Sequence, residues 1–282
     1  MKLTILESND APYNLACEEI IFNGGNERFI LWRNNPSVII GRHQITHMEA
    51  DVGYAKKNRI DVVRRVTGGG AVYHDLGNIN YSVIKPYRSD EPDAETPSEA
   101  IAAYIRRLGV LAETQGRNDL SVDGKKFSGA ARTIQKGYQL HHGTILFDTN
   151  LEIMERVLTV NDIKYSGRSI TSIRNRVVNL REYLPDMTNE MFWERTKNQF
   201  KLLMETCGMT ESECDEAAAL AAVRYRQWDW NFGSSPHYTY RNMKRVSAGT
   251  IEVYAVIADG IIKDLKIHGD FITIGDLAGL EH

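Results

Sequence analysis

Helical and extended hydrophobic periodicities alternate along the whole chain, which predicts a mixed α/β (α+β) protein with a mixed sheet and packed helices. Residues 12–22 read as a helix: Asp10 and Ala11 lead in, and Leu15, Glu18, Glu19 and Phe22 follow at helical spacing. Residues 28–32 and 37–41 are β-prone runs joined by Asn34-Asn35-Pro36, which is turn chemistry. Met48, Val52 and Ala55 share one face of a helix predicted over 47–58. A glycine hairpin follows, with 78–85 as its return strand. Next come an acidic, proline-containing loop over 89–97 and a helix over 98–112 opened by Pro97-Ser98-Glu99. Strands are predicted at 120–122, 126–135 and 141–148, the first two joined by an Asp123-Gly124 turn. Helices at 190–207 and 211–225, then a hairpin of 245–259 and 261–267 around Asp259-Gly260, complete the pattern.

A boundary is expected near Asn242, dividing residues 1–243 from 244–282. The second part offers two or three strands and little to cover them, too little for an independent domain. It reads either as the start of a small, incomplete C-terminal domain or as a segment packing back on the main body. Leu280-Glu281-His282 reads as a tag remnant or as the point where the chain was cut.

Composition narrows the class. The chain is 42% hydrophobic and 25% charged, with a net charge of -3, which is ordinary for a globular protein with a full core. That balance argues against sequence-independent binding to nucleic acid, which needs a basic surface. The three cysteines, Cys17, Cys207 and Cys214, are odd in number and lie in helical patterns, as in a reducing compartment rather than a disulfide framework. The N-terminus turns polar too soon for a signal peptide, and no apolar run is long enough to span a bilayer. A soluble cytoplasmic protein without a membrane partner is expected.

The densest chemistry lies in residues 63–82. Two extended runs flank Gly68-Gly69-Gly70, with Arg64-Arg65 before them and His74 just after. Glycines let backbone N–H groups approach a ligand that a Cβ would keep away, and the neighbouring cations point to an anion. Glycine clusters between strands are more often plain hairpin turns. The segment is not a Walker loop, because no Gly-Lys-Ser/Thr follows.

Collinear segments settle the comparison. Arg-Arg-Val-Thr-Gly-Gly-Gly-Ala-Val-Tyr-His-Asp from Arg64, Gly-Arg-Asn-Asp-Leu from Gly116, Lys-Phe-Ser-Gly from Lys126 and His-His-Gly-Thr from His141 stand in order. Ser-Ile-Thr-Ser-Ile-Arg-Asn-Arg-Val-Val-Asn-Leu from Ser169 and Trp-Asp-Trp-Asn-Phe-Gly from Trp228 complete the series. Together they resemble the lipoate–protein ligase A family of the biotin/lipoate ligase superfamily, over roughly residues 1 to 270. The resemblance implies a mixed sheet with packed helices plus a small accessory domain that moves during the cycle. It implies a two-step reaction in which lipoate and ATP give lipoyl-AMP and pyrophosphate. The lipoyl group then passes to one lysine of a lipoyl carrier domain.

The resemblance assigns roles to residues whose chemistry fits. Activation brings a carboxylate to the α-phosphate of ATP, so two anions meet, and aimed cations and N–H groups lower that barrier. Lys126 is assigned to both the lipoate carboxyl and the phosphate; on its own it reads as an exposed lysine beside Lys125. Arg65 supplies a fork matching phosphate or carboxylate oxygens, with a strand-edge salt bridge as the plain alternative. Gly68, Gly69 and Gly70 let the backbone run against the acyl-phosphate junction. Ala71, Val72 and Tyr73 are candidates for main-chain contact with adenine. His74 is a candidate for a ligand oxygen, and as readily structural. Asn78, His142, Gly143 and Thr144 are placed in the same ATP and lipoyl-AMP pocket. Asp119 either holds Mg²⁺ on the triphosphate, orients Lys126, or is a turn residue.

His141-His142 is no metal site, because no partner cluster accompanies it; one of the pair is expected to face the pocket. Trp228 and Trp230 are expected to bury one face against the core. Val38, Ile39, Ile40 and Gly41 are walls for the acyl tail or an ordinary core strand. Such an apolar slot discriminates poorly, so octanoate is an expected alternative to lipoate. Carriers would be a 2-oxoacid dehydrogenase acyltransferase subunit or the glycine-cleavage H protein.

A thioester route needs a thiolate near the pocket, and no cysteine lies between Cys17 and Cys207, the span holding most of the site motifs. A biotin ligase would carry a different, arginine-rich adenylation loop. Two alternatives stay open: a lipoyltransferase that accepts preformed lipoyl-AMP, and a non-catalytic module that binds lipoate or lipoyl domains.

Overall fold

The computed structural model describes residues 1–88, 96–116, 119–158, 176–233, 240–258, 261–271 and 277–281. Its N-terminal strands are β1 (Lys2–Ile5), β2 (Arg28–Trp32), β3 (Ser37–Ile40), β4 (Asp61–Arg64) and β5 (Val72–His74). After them come β6 (Asn78–Pro86), β7 (Glu113–Gln115), β8 (Asp119–Val122), β9 (Lys125–Gln135) and β10 (Tyr138–Leu146). A large mixed sheet runs β1-β2-β6-β10-β9-β8-β7, parallel at β1–β2 and antiparallel elsewhere. A small sheet runs β4-β3-β5. The tight Asp123-Gly124 turn between β8 and β9 forms as expected, with φ of 50° and 74°.

Helices cover the large sheet on both faces. On one side Tyr81 and Phe127 pack against Ile101, Ile105, Phe192 and Phe200. These come from the helices Pro97–Arg107 and Asn189–Leu203. On the other side Ile30, Ile84 and Leu140 meet Leu15, Cys17 and Ile21 of α1 (Ala11–Asn23). A separate cluster behind the small sheet joins Val38, Ile40 and Tyr73 to Met154 and Val157 of the helix Leu151–Val157.

Several expectations change. The glycine segment is not a hairpin: β4 and β5 pair with opposite edges of β3, parallel and antiparallel respectively, and β6 joins the other sheet. Residues 47–58 form two short helices, α2 (Thr46–Glu49) and α3 (Val52–Lys57). Ala50 between them is extended and bridges Leu158, while Asp51 caps the second helix by accepting from the Tyr54 N–H. The helix from Pro97 ends at Arg107, ahead of Gly109 with φ of 92°. The helix from Asn189 ends at Leu203, because Thr206 bridges Leu3.

The strand predicted from 245 is two strands, β11 (Tyr240–Val246) and β12 (Gly249–Ala258), and with β13 (Ile261–Gly269) they form a three-stranded antiparallel sheet. Most of the 89–97 loop, Arg117-Asn118, residues 169–175 and the Asp259-Gly260 turn lie outside the described residues. Among the described residues no helix is long and apolar enough to cross a membrane.

Candidate active site

The α1 face of the large sheet meets the small sheet across a cavity of about 270 Å³. Strand register organises its floor in rows. Trp32, Asn80 and Thr144 stand directly opposite one another, and Gly129 of β9 is tied to Thr144 through its N–H at 3.4 Å. Two residues along the strands, about 6–7 Å further, the next row is Ile30, Ser82, His142 and Ala131. Leu15 of α1, with Ile39 and Val72 of the small sheet, adds apolar wall.

Lys126 stands over the first row. Its Nζ lies 2.6 Å from where a Cβ on Gly129 would be, so glycine there leaves room for the ammonium to lie across the strand. The ammonium pairs with Asp119 at 2.8 Å, both side chains about two-fifths exposed. That pairing places Asp119 where it can orient the Lys126 ammonium.

Arg65 is buried in the cavity wall, and its donors go to its own loop and to β3. Nε donates to Thr67 Oγ1 at 2.9 Å, Nη1 to the Ile39 carbonyl at 3.1 Å, and Nη2 to the Gly68 and Gly70 carbonyls at 2.6 and 2.9 Å. The guanidinium therefore shapes the glycine loop and charges it positively, rather than presenting the open fork expected from sequence. Burial lowers it to about 10, still protonated at neutral pH.

Behind Arg65 runs a buried chain. Glu18 accepts from Ser82 Oγ at 2.5 Å and from His142 Nδ1 at 2.9 Å. His142 Nε2 lies 2.7 Å from Thr67 Oγ1, which already accepts from Arg65. With Glu18 ionised, every hydrogen finds an acceptor when Nδ1 carries the imidazole hydrogen and Thr67 donates to Nε2. Glu18 and Arg65 are thereby linked as a relayed ion pair.

Arg64 points elsewhere and is fully buried. It donates to the carbonyls of Trp230, Gly41, Arg42, Gln44 and Asn231 and to Thr46 Oγ1. Thus it ties the loop after β3 to the short helix Trp228–Asn231. Gly41 in that loop packs so closely that a Cβ would strike the Gly69 carbonyl. The Arg42 and Arg224 guanidiniums lie over the Trp230 ring, 4.4 and 5.1 Å from its centroid. Trp228 is 64% exposed, contrary to the expectation that it buries.

Of the residues singled out from sequence, Arg65, Gly69, Gly70, Ala71, Val72, His74, Lys126, His142, Gly143 and Thr144 line the cavity. Gly68, Tyr73, Asn78 and Asp119 do not. Tyr73 faces the cluster behind the small sheet, since Val72 and His74 take the alternate face. Asn78 is buried and donates to Asn80 Oδ1 at 2.9 Å. His142 is the one of the histidine pair that faces the cavity; His141 lies near Tyr81 and Ser98 on the opposite face. Glu18, Thr67, Asn80 and Gly129 were missed, although the Asn78/Asn80 alternation marked one polar strand face.

Comparison with known proteins agrees with this geometry. The family model described as the lipoyl protein ligase A/B catalytic domain matches residues 10–201, and that of the bacterial lipoate protein ligase C-terminus matches 235–282. The chain is 37% identical to "Lipoate-protein ligase LplJ" of Bacillus subtilis, over 97% of this chain and 86% of that protein. It is 36% identical to "Probable lipoate-protein ligase A" of Mycoplasma pneumoniae, over 98% and 85%. Among solved structures it resembles P. falciparum LipL1 in complex with lipoate, with a TM-score of 0.78, 27% identity and coverage of 99% and 88%. It also resembles lipoate-protein ligase A bound with ATP, at a TM-score of 0.71, 31% identity and coverage of 82% and 98%. A third likeness, at a TM-score of 0.72, 33% identity and coverage of 85% and 98%, is to the Thermoplasma acidophilum bipartite ligase studied with its E2 lipoyl domain.

Proposed function

This chain belongs to the lipoate–protein ligase family, and we propose that it activates lipoate with ATP and passes the lipoyl group to a lysine of a carrier domain. The observation that carries this reading is the Lys126 ammonium over an apolar cavity walled by a positively charged glycine loop. In the first step one lipoate carboxylate oxygen attacks the α-phosphorus of ATP and pyrophosphate leaves. Lys126 bridges the two anions, and the loop held by Arg65 presents N–H groups and positive potential to the phosphate. In the second step the carrier amine attacks the acyl carbon and AMP departs.

The acyl tail fits along Leu15, Trp32, Ile39 and Val72 toward the His142 row, at about 0.8 kcal/mol per buried methylene. Octanoate would fit the same slot. Mg²⁺ enters with the triphosphate as part of the substrate. Asp119, whose carboxylate already pairs with Lys126, would offer it an oxygen ligand beside the phosphates. The carriers we assign are the lipoyl domains of 2-oxoacid dehydrogenase complexes or the glycine-cleavage H protein, with the cytoplasm as the setting. The division into a catalytic unit (1–243) and a smaller C-terminal unit (244–282) belongs to the same proposal.

Intact mass of a purified lipoyl domain tests it. Incubation with enzyme, lipoate and Mg·ATP is expected to add one lipoyl group, and none when ATP is omitted or the carrier lysine is replaced. Modification without ATP would contradict the ligase reading.

A further inference from the structure

His74 ends β5 with its ring against the edge of Trp32, centroids 6.1 Å apart, and is buried. Its neighbours fix where its hydrogen sits. Asn14 Nδ2 donates to the carbonyls of Ser8 and Arg33 and to Asn34 Oδ1, at 2.8, 3.1 and 2.9 Å, which identifies the nitrogen of that amide. Asn34 Oδ1 is thus an acceptor, so Asn34 Nδ2 donates to His74 Nδ1 at 3.1 Å. A ring nitrogen that accepts carries no hydrogen, so the imidazole hydrogen is on Nε2. That Nε2 has no protein partner, and His74 lines the cavity.

Asn80, only 2% exposed, holds a second unpartnered donor. Its Oδ1 accepts from Asn78 Nδ2 at 2.9 Å, and its own Nδ2 is unpartnered in the same cavity. Register puts Asn80 in the row over which the Lys126 ammonium stands. Buried donors are almost always satisfied, so two orphan donors on residues that line one cavity imply a ligand acceptor. The row of Asn80 and Trp32, with the Lys126 ammonium over it and the Trp32 ring against His74, identifies it as the reacting end of the acyl group rather than its tail.

Resting on the ligase reading of this site, we propose that His74 Nε2–H and Asn80 Nδ2–H bind the acyl oxygen of the substrate, facing the Lys126 ammonium. During activation they hold the carboxylate oxygen that does not attack, which leaves the other aimed at the α-phosphorus. During transfer the carrier nitrogen forms a bond to the acyl carbon and the carbonyl electron pair moves onto oxygen. Collapse re-forms the carbonyl and breaks the C–O bond to AMP, while the nitrogen's proton leaves to water. The donor pair stabilises the oxyanion in between. Burial, with Arg65 and His142 nearby, lowers His74 to about 3, so its ring is a neutral donor throughout the physiological range.

Isotope-edited infrared spectroscopy of lipoyl-AMP labelled with ¹³C at the carbonyl, bound to the whole enzyme, tests the proposal. The carbonyl band of the wild-type complex is expected below that of free lipoyl-AMP, to return toward the free position in His74→Phe, and to be partly restored in His74→Gln. Transfer from synthetic adenylate is expected to fall about 10²-fold in His74→Phe, equally for lipoyl and octanoyl groups. An unshifted wild-type band overturns the proposal. So does a loss confined to the lipoyl substrate, which would assign the donors to a dithiolane sulfur. If His74→Phe does not fold, ¹⁵N-histidine spectra of the wild type decide, since the Nε2–H resonance must shift on adenylate binding. Because the adenylate is supplied, failure of ATP-driven activation would count against the ligase reading alone.

Discussion

At the scale of single residues the site is organised around buried charge without direct counter-charge. Arg64 and Arg65 direct their donors to carbonyls and hydroxyls, and the Glu18 carboxylate reaches Arg65 only through His142 and Thr67. Positive potential is therefore built into the cavity wall before an anion arrives, which is the preorganisation that an anion-on-anion reaction needs. His74 supplies a pH signature of the same burial. Its folded value is near 3 against about 6.5 unfolded, so below pH 6.5 the unfolded chain binds a proton that the folded chain does not. Stability is fully retained above that range and falls with acidification by up to about 1.4 kcal/mol per pH unit from this group. Urea unfolding at pH 7.5 and pH 5 should show the wild type losing about 2 kcal/mol more than His74→Phe. Equal losses would show that His74 is not held neutral by the fold.

At the scale of elements, what the sequence made legible was local. The helix at 12–22 and the Asp123-Gly124 turn follow from short-range pattern and are present. The pairing of β4 and β5 with β3 was not legible, because the glycines connect opposite edges of a sheet whose central strand lies earlier in the chain. For the same reason Lys126, Arg65 and the glycines could be named from their motifs, while Glu18 and Asn80 became visible only once α1 and β6 were placed. Alternation along β5 turns the Tyr73 side chain away from Val72 and His74, while the contact expected of Tyr73 is through its main chain. The platform under the glycine loop is an element property too. Gly41→Ala would push its Cβ into the Gly69 carbonyl, and neither backbone can yield without moving the loop. The expected result is a stability loss of about 1–3 kcal/mol with a fall in adenylation rate, read by denaturation and pyrophosphate release. A variant normal in both would show that the loop tolerates the shift.

At the scale of the whole molecule, two sheets line one cleft and the chain at the end of the third reaches its glycine loop. The large sheet carries Lys126, Asn80 and His142, the small sheet supplies Ile39, Val72 and His74, and the chain leaving β13 reaches the glycine loop. Gly269 donates to the His43 carbonyl at 2.7 Å, the Phe271 carbonyl accepts from the Gly69 N–H at 3.4 Å, and the Phe271 ring stacks on His43 at 5.0 Å. We infer that this assembly forms an acyl-adenylate by itself. Pyrophosphate release from Mg·ATP by the purified chain, with lipoate and no carrier, tests it most directly. Lipoate-dependent release of about one equivalent per enzyme is expected, resuming when a lipoyl domain is added and slowed about 10²–10³-fold by Lys126→Ala. Absence of release from the wild type, or undiminished release from Lys126→Ala, would contradict it.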